Sequence, residues 1–572
     1  MDKPTICVEP LSLVQGQSEP ALWSVSLESV LNEKAEEHNN TPAVIFPWQN
    51  KQLSFAQLRQ RGQLVAASLL RTGAQHGDCV GIIAGNRYEY LEVFLGGGLI
   101  GCKVLVLNNT YRPWELRHAL ERTECRILFL APTIGSRSLI EHVDLLSSSS
   151  SQGSLPSLIQ IVFYGDSPTN VTMKHQNYDE FTSFMKVDSD KLDKWEFWRR
   201  SVQPSNTLSF QLTSGTTGAP KVAMLSHLSM LNNARFVGLR LGITSTDVIC
   251  CPPPLFHCFG LVMGFLAGLI HGSTVVFPSD YFNADAVLDS VYRHQCTTLL
   301  GVPTMFIAEL EALQSRNDRI ISLRKGLIAG STISHTLMNR LSKSMGLSEM
   351  TIAYGMTETA PVSFMSAADD APNKRNETVG RVMPHTQAKV INQLGETLPR
   401  GVRGELCVSG YGLQKGYLKN KAKTAEVMKF DKDGILWMHT GDECVIDSEG
   451  YCRVTGRIKD IIIRGGENIF PAEIEERLIA HPAVSEASVV GVRDVKYGEV
   501  VACFLKRALQ QVDRPTTEEM QSWVNDVMSR SKTPQYVFWV GDGGVCEDFP
   551  TTGSGKHQKH LLREIGNQLV RC

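Results

Sequence analysis

No segment of this chain is apolar for the roughly 20 residues needed to cross a bilayer. The longest apolar run, Gly260 to Ile270, is interrupted by glycines and stops at His271, so no membrane span is expected. Charge of one sign is also lacking: 57 Lys and Arg against 59 Asp and Glu leave a formal net charge of −2. That balance offers no electrostatic basis for holding nucleic acid. Fourteen cysteines occur, yet there is no CxxC pair and no Cys/His cluster at zinc spacing. Reduced thiols in an intracellular protein are expected, rather than a disulfide frame. The stretch MDKPTICVEP lacks the basic and apolar regions of a signal peptide and the arginines of a transit peptide. Val570-Arg571-Cys572 is not a peroxisomal address of the Ser-Lys-Leu kind, and a cytoplasmic location is the expectation. GxxxxGK[ST] occurs nowhere, which excludes the phosphate chemistry of the common P-loop NTPases. No internal repeat is visible.

What is present is length. At 572 residues, 42% apolar and 20% charged, the chain is too long for one core, and at least two domains are expected. Helical spacing marks Leu27 to His38 and Leu53 to Thr72. Short apolar strands are expected at Val80 to Ile83 and Val104 to Leu107, with a helix over Glu89 to Leu95 between them. This alternation points to α/β layering. Gly96, Gly98 and Gly101 match GxGxxG, but they follow a helical segment and lead into a strand, the reverse of a dinucleotide loop. Close helix–sheet packing is the better account of them. Ser147 to Ser151 reads as a low-complexity surface insertion.

The most informative stretch is Leu212 to His227, LTSGTTGAPKVAMLSH. Gly215 and Gly218 can adopt positive φ and let backbone N–H groups approach a ligand. Thr213, Ser214, Thr216 and Thr217 add hydroxyl donors, Pro220 stiffens the exit, and Lys221 brings a point charge suited to phosphate. Leu208 to Leu212 reads as a strand, so the loop sits at a strand end, where open α/β sheets bind ligands. Further on, Tyr354-Gly355-Met356-Thr357-Glu358 follows the apolar strand Met350 to Ala353. Tyr354 offers a flat face for a purine, Thr357 can donate to an α-phosphate, and Glu358 is a hard oxygen ligand suited to Mg²⁺. Thr440-Gly441-Asp442 reads as a tight turn ending in a carboxylate. In Gly456 to Glu475, Arg457 carries a permanent charge, a strand-like Ile461-Ile462-Ile463 precedes Gly465-Gly466, and Pro471 starts a helix.

Taken in order, these stretches resemble the signature motifs of the adenylate-forming superfamily, which holds acyl-CoA synthetases, luciferases and peptide-synthetase adenylation domains. Five motifs fall in that family's order over nearly the whole chain. IAGSTIS, MTIAYGMTET and AVIFPWQNKQLSFAQL look most like medium-chain fatty acyl-CoA synthetases. One departure is Val222, where the family usually has glycine. The resemblance implies an α/β fold class: a large N-terminal domain of layered α/β subdomains at 1–456, a hinge at 457–460 centred on Lys459, and a smaller mobile α+β C-terminal domain at 461–572. It implies that Thr213 to Gly218 and Lys221 hold the phosphates of ATP, that Gly330 and Ser331 lie against the adenine and the acyl carboxylate, and that Asp442 binds the ribose. Tyr354, Gly355, Thr357 and Arg457 complete the nucleotide site, and Glu358 holds the Mg²⁺. His257, inside CPPPLFHCFG, would line the carboxylate and acyl site, with LVMGFLAGL beside the acyl chain. Lys556, in PTTGSGKHQK, would be the catalytic lysine, and Gly465 and Gly466 would take its place on the CoA side.

The implied reaction has two steps: a carboxylic acid is activated as acyl-AMP, then its acyl group passes to CoA. The alternative is a fatty acyl-AMP ligase that loads the pantetheine of a carrier protein serving a polyketide or peptide synthetase. The short tail after Lys556 leaves no room for a fused carrier domain, so such a carrier would be a separate protein.

Overall fold

Two parallel sheets organise the first two-thirds of the chain. The seven-stranded sheet runs Asn177–Glu180, Gln160–Phe163, Cys125–Leu130, Cys79–Ile83, Lys103–Val106, Thr207–Thr213, and ends with Lys221–Ser226 antiparallel to its neighbour. The nine-stranded sheet runs Arg381–Val382, Val362–Met365, Glu349–Gly355, Lys325–Ala329, Thr298–Gly301, Val248–Cys250, Thr274–Val276, Pro42–Phe46, Lys51–Ser54. Its middle strands are parallel and its margins antiparallel. Strands covered on both faces read as unbroken apolar runs; Cys79–Ile83 and Lys325–Ala329 are buried at every position. The largest apolar cluster draws on strands of both sheets and on the helices Leu27–His38, Phe55–Arg71, Tyr88–Leu99 and His227–Arg240, so the two sheets share one core. This computed structural model describes residues 10–147, 155–165, 177–186, 201–213, 221–316, 320–330, 335–508, 513–552 and 556–570. Most of the expected low-complexity insertion lies outside them.

A third, antiparallel sheet joins Leu13–Gln15, Thr386–Ile391, Gly404–Gly410, Leu436–Ile446 and Met428–Phe430, with Cys452–Arg457 also paired to Leu436–Ile446. One 3-10 turn, Ile458–Asp460, leads out of it. Next comes a separate sheet, Glu467–Ile469, Ile462–Arg464, Gly498–Arg507 and Val484–Asp494, with Tyr536–Trp539 parallel to Gly498–Arg507. Helices Pro471–Ile479, Thr517–Asn525 and Lys559–Leu569 pack on it through apolar clusters of its own. The result is a large α/β body and a small α+β one. They meet at Arg403, whose guanidinium donates to Glu473 at 2.9 Å and lies 4.6 Å over the Phe470 ring. All the described cysteines are free, and all but Cys546 are buried. No helix among the described residues is long and apolar enough to cross a membrane.

The GxGxxG glycines are packing residues. They lie in or just after Tyr88–Leu99, a helix buried on almost every side. A Cβ on Gly96 would stand 2.6 Å from Val65 of the neighbouring helix, and one on Gly98 would stand 2.7 Å from Leu208. Without those methyl groups, helix meets helix and sheet at contact distance. Gly96→Val is expected to cost about 1–3 kcal/mol through overpacking. Equilibrium denaturation should register that as a lower midpoint.

Candidate active site

The two ends of the threonine-rich loop are neighbours in the sheet. Thr213 pairs with Lys221 across the antiparallel margin, and its hydroxyl lies 3.5 Å from the Lys221 carbonyl. Ser214, Gly215, Thr216, Thr217 and Gly218 lie outside the described residues. Val222 occupies an ordinary strand position: it is buried, pairs with Leu212, and its carbonyl accepts from Leu418 N–H at 2.9 Å. Lys221 Nζ donates to the Tyr417 hydroxyl at 3.1 Å and stands 4.5 Å over its ring. Tyr417 in turn donates to Glu358 Oε1 at 2.7 Å. Glu358 is 4% exposed and sits in the 3-10 turn Thr357–Thr359, directly after the strand Glu349–Gly355. Burial pulls the Lys221 ammonium below its ordinary pKa; Glu358 opposes that shift, while Lys423 and Lys459 reinforce it. Tyr417 escaped the sequence reading, because a Gly-Tyr pair among lysines carries no chemical signal of its own. Gly355 answers to the fold: a Cβ there would lie 1.9 Å from the Pro361 carbonyl oxygen.

Thr440-Gly441-Asp442 is not the free tight turn expected. It is a bulge inside the strand Leu436–Ile446. Glu405 faces Glu443 and Cys407 faces His439, so two residue steps on one strand oppose four on the other. The extra residues leave Asp442 without a partner on Gly404–Gly410, while on its other side it pairs with Arg457; Gly441 takes φ 71°. Glu405, also unforeseen, secures the bulge: one carboxylate oxygen accepts Gly441 N–H at 3.2 Å and the other meets His439 Nδ1 at 3.0 Å. Asp442 then accepts the Tyr354 hydroxyl at 2.6 Å and pairs with Arg457 Nε at 3.2 Å. Burial and the Asp442 carboxylate push the Tyr354 phenol well above its ordinary pKa, and Asp442 raises that of Arg457. Sequence reasoning assigned Tyr354 its ring face; in the fold its hydroxyl is committed to the carboxylate.

Lys556 enters the same cleft from the small body. Its Cε lies 3.8 Å from where a Cβ on Gly330 would stand, and Gly330 ends the strand Lys325–Ala329 at φ 98°. Ser331 lies outside the described residues. Two hydrogen bonds tie Lys556 to Thr552: Lys556 N–H to Thr552 Oγ1 at 3.2 Å, and Thr552 N–H to the Lys556 carbonyl at 2.7 Å. Burial lowers the Lys556 pKa and the charge of Arg457 adds to this, against the pull of Asp442 and Glu358. His257 feels the same ammonium: burial, then Lys556, bring its pKa down to about 4. Its Nδ1 accepts Phe259 N–H at 3.2 Å, so the neutral ring carries its proton on Nε2. Behind it, the π-helical stretch Phe259–Leu266 is buried throughout. Lys459 lies in the exposed turn Ile458–Asp460, and Gly465 and Gly466, both at positive φ, form the exposed tip of the next hairpin.

The cleft therefore gathers three cationic side chains and two carboxylates, from strand ends of the two parallel sheets, from the bulged margin of the third sheet and from the small body. A Mg²⁺ ion would find a fitting ligand in Glu358. It is a hard carboxylate with one oxygen held by Tyr417, and among the described residues nothing hydrogen-bonds the other.

Residues 31–418 match the family model of AMP-binding enzymes, and residues 473–556 match that of the AMP-binding enzyme C-terminal domain. The chain is 44% identical to acyl-CoA ligase sidI of Aspergillus fumigatus, over 99% of its own length and 95% of the relative's. It is 34% identical to the mitochondrial medium-chain acyl-CoA ligase ACSF2 of Danio rerio, over 98% and 91%. The crystal structure of the anthranilate CoA ligase AuaEII in complex with anthranoyl-AMP aligns with a TM-score of 0.82 over 97% of this chain and 99% of that one, at 22% identity. That likeness concerns the fold. Large body, small body and cleft together are those of an adenylate-forming enzyme. The chain belongs to the AMP-binding enzyme family, among its acyl-CoA ligases, which join a carboxylic acid to CoA at the expense of ATP by way of an acyl-AMP.

The depressed His257 pKa has a measurable consequence. Between about 4 and the ordinary 6.5 the folded ring stays neutral while the unfolded chain takes up a proton. The neutral ring's contribution to stability is therefore complete above 6.5 and is lost as pH falls towards 4. In thermal melts across that interval, His257→Gln should lose midpoint less steeply with acid than the unaltered protein.

Proposed function

We propose that the acid is a fatty acid of medium or long chain, that free CoA is the acceptor, and that Lys556 is the catalytic lysine of the first step. The carrying observation is the approach of Lys556 to Gly330, within the field of Arg457, Asp442 and Glu358 and near enough for its charge to bear on His257. An ammonium delivered there meets the junction of acid and nucleotide. The fully buried apolar stretch Phe259–Leu266, directly after His257, supports an aliphatic substrate, as does similarity to a relative described as a medium-chain acyl-CoA ligase.

In the first step a carboxylate oxygen attacks the α-phosphorus of ATP, the bond to the β-phosphate oxygen breaks, and pyrophosphate leaves. Charge grows on the phosphoryl oxygens, so fixed cations and donors count most there. Lys221 and the Thr213 to Gly218 loop hold the phosphates, Thr357 donates to the α-phosphate, and Lys556 spans carboxylate and phosphate. Asp442 takes the ribose hydroxyls, with Tyr354 and Arg457 fixing its carboxylate. Glu358 would hold Mg²⁺, which when bound would supply further neutralisation of phosphate charge. In the second step the CoA thiolate attacks the acyl carbon, the carbon–oxygen bond to AMP breaks, and AMP leaves.

Lys556 and an incoming pantetheine cannot share one approach to the acyl carbon. The small domain therefore turns about Lys459 between the steps, and the hairpin tip at Gly465-Gly466 replaces Lys556. The short exposed link Ile458–Asp460 between two separately cored bodies supports that motion.

Pyrophosphate release across straight-chain acids from butyric to stearic and a set of aryl acids, with CoA present or withheld, tests the substrate. Preference for aryl acids would overturn the aliphatic reading, and thioester formation on an isolated carrier protein but not on CoA would overturn the acceptor. Lys556→Ala is expected to slow adenylation by roughly 10²–10³-fold, the scale for one preorganised donor. It should leave thioester formation from supplied acyl-AMP nearly intact; equal loss in both half-reactions would rule out domain alternation.

A further inference from the structure

Between the phosphate-loop lysine and the metal-site carboxylate stands a residue that neither motif contains. The Tyr417 phenol accepts from Lys221 Nζ at 3.1 Å and donates to Glu358 Oε1 at 2.7 Å. The side chain is 4% exposed. Its backbone is stitched to the strand that carries Lys221, where Tyr417 bridges Ala223 and Leu418 N–H donates to the Val222 carbonyl at 2.9 Å; Tyr417 N–H also donates to Thr424 Oγ1 of the following helix at 2.9 Å. The seam fixes the backbone from which the buried ring projects. Glu358 and Glu426 bear on Lys221 as opposite charges and Lys423 and Lys459 as like ones; Glu426 is already paired with Lys423, which leaves Glu358 as the carboxylate open to Lys221.

We propose that Tyr417 is a positioning residue of the nucleotide site: its hydroxyl keeps Lys221 and Glu358 from closing into a direct ion pair. The carboxylate is thereby left for a divalent cation and the ammonium for a phosphate. A salt bridge between them would neutralise both groups and fill the space each needs for its ligand. A phenol is suited to the post because it both accepts and donates, so it satisfies the two ions without changing the charge of the cleft. The ring adds a cation–π contact that holds the ammonium near its station. This inference rests on the reading of Glu358 as the Mg²⁺ ligand.

Tyr417→Phe keeps the ring and removes only the hydroxyl. In the full-length protein, calorimetric titration of a non-hydrolysable ATP analogue over a series of Mg²⁺ concentrations should find the Mg²⁺ midpoint raised about tenfold, the scale of one charge-assisted hydrogen bond. The thermal midpoint without nucleotide should hardly move. In a Lys221→Ala background the same substitution should leave the Mg²⁺ midpoint where Lys221→Ala alone sets it, because the competing ammonium is gone. An unmoved midpoint in the otherwise unaltered protein, or a shift of equal size in both backgrounds, would overturn the role of Tyr417. Nucleotide binding by the unaltered protein that ignores Mg²⁺ would instead overturn the reading of Glu358.

Discussion

The cleft rests on an unequal balance of charge. Lys221, Lys556 and Arg457 face the nearly buried carboxylates of Glu358 and Asp442, and desolvation depresses the pKa of both lysines. Two carboxylates keep three cations tolerable; the remaining positive charge is an invitation to a polyanion. Each contact in the cleft can be read against this balance. Tyr354 and Arg457 brace one carboxylate and Tyr417 braces the other, so neither collapses onto the nearest ammonium. In such surroundings a displaced charge interacts far more strongly than it would at the surface. That is why uncharged phenols, and not further ions, occupy the gaps.

The architecture delivers those groups without any one element having to carry them all. Strand ends of the two parallel sheets bring Thr213, Lys221, Gly330 and Glu358, which is the usual place for ligands in open α/β sheets. Asp442 comes from an antiparallel sheet that has no such natural opening, and it reaches the cleft only through a bulge. Lys556 comes from a body with its own core, tied to the rest by one 3-10 turn. The proposed turn about Lys459 would leave both cores intact while breaking the Arg403 contacts to Glu473 and Phe470.

Much of this was legible in the sequence because small and special residues have local causes. The helix over Leu27 to His38 and the strands at Val80 and Val104 follow from apolar spacing. The decoy glycines were separable from a dinucleotide loop by what precedes and follows them, and Val65 and Leu208 supply the reason they are glycine. Lys221, Glu358, Asp442 and Lys556 stand in recognisable motifs, and the fold brings their side chains or charges together. What could not be read were relations across sequence distance. The bulge at Thr440 to Asp442 depends on Glu405, some thirty-five residues earlier on the neighbouring strand. Tyr417 matters because an unrelated loop runs beside Val222. Neither residue type is unusual where it stands; only its partner makes it significant, and that partner is a product of tertiary structure.

The π-helical stretch Phe259–Leu266 carries an evolutionary implication. A π turn holds one residue more than an α turn, and such stretches are rare and short. Deleting a single codon there would remove the surplus residue, restore α geometry and re-aim the side chains of the widened turn while the flanking turns keep their phase. The face presented by that stretch would change at one stroke. On the proposed reading of Phe259–Leu266 as a wall of the acid site, insertion and deletion would offer a route to other acids besides the slow exchange of one side chain for another.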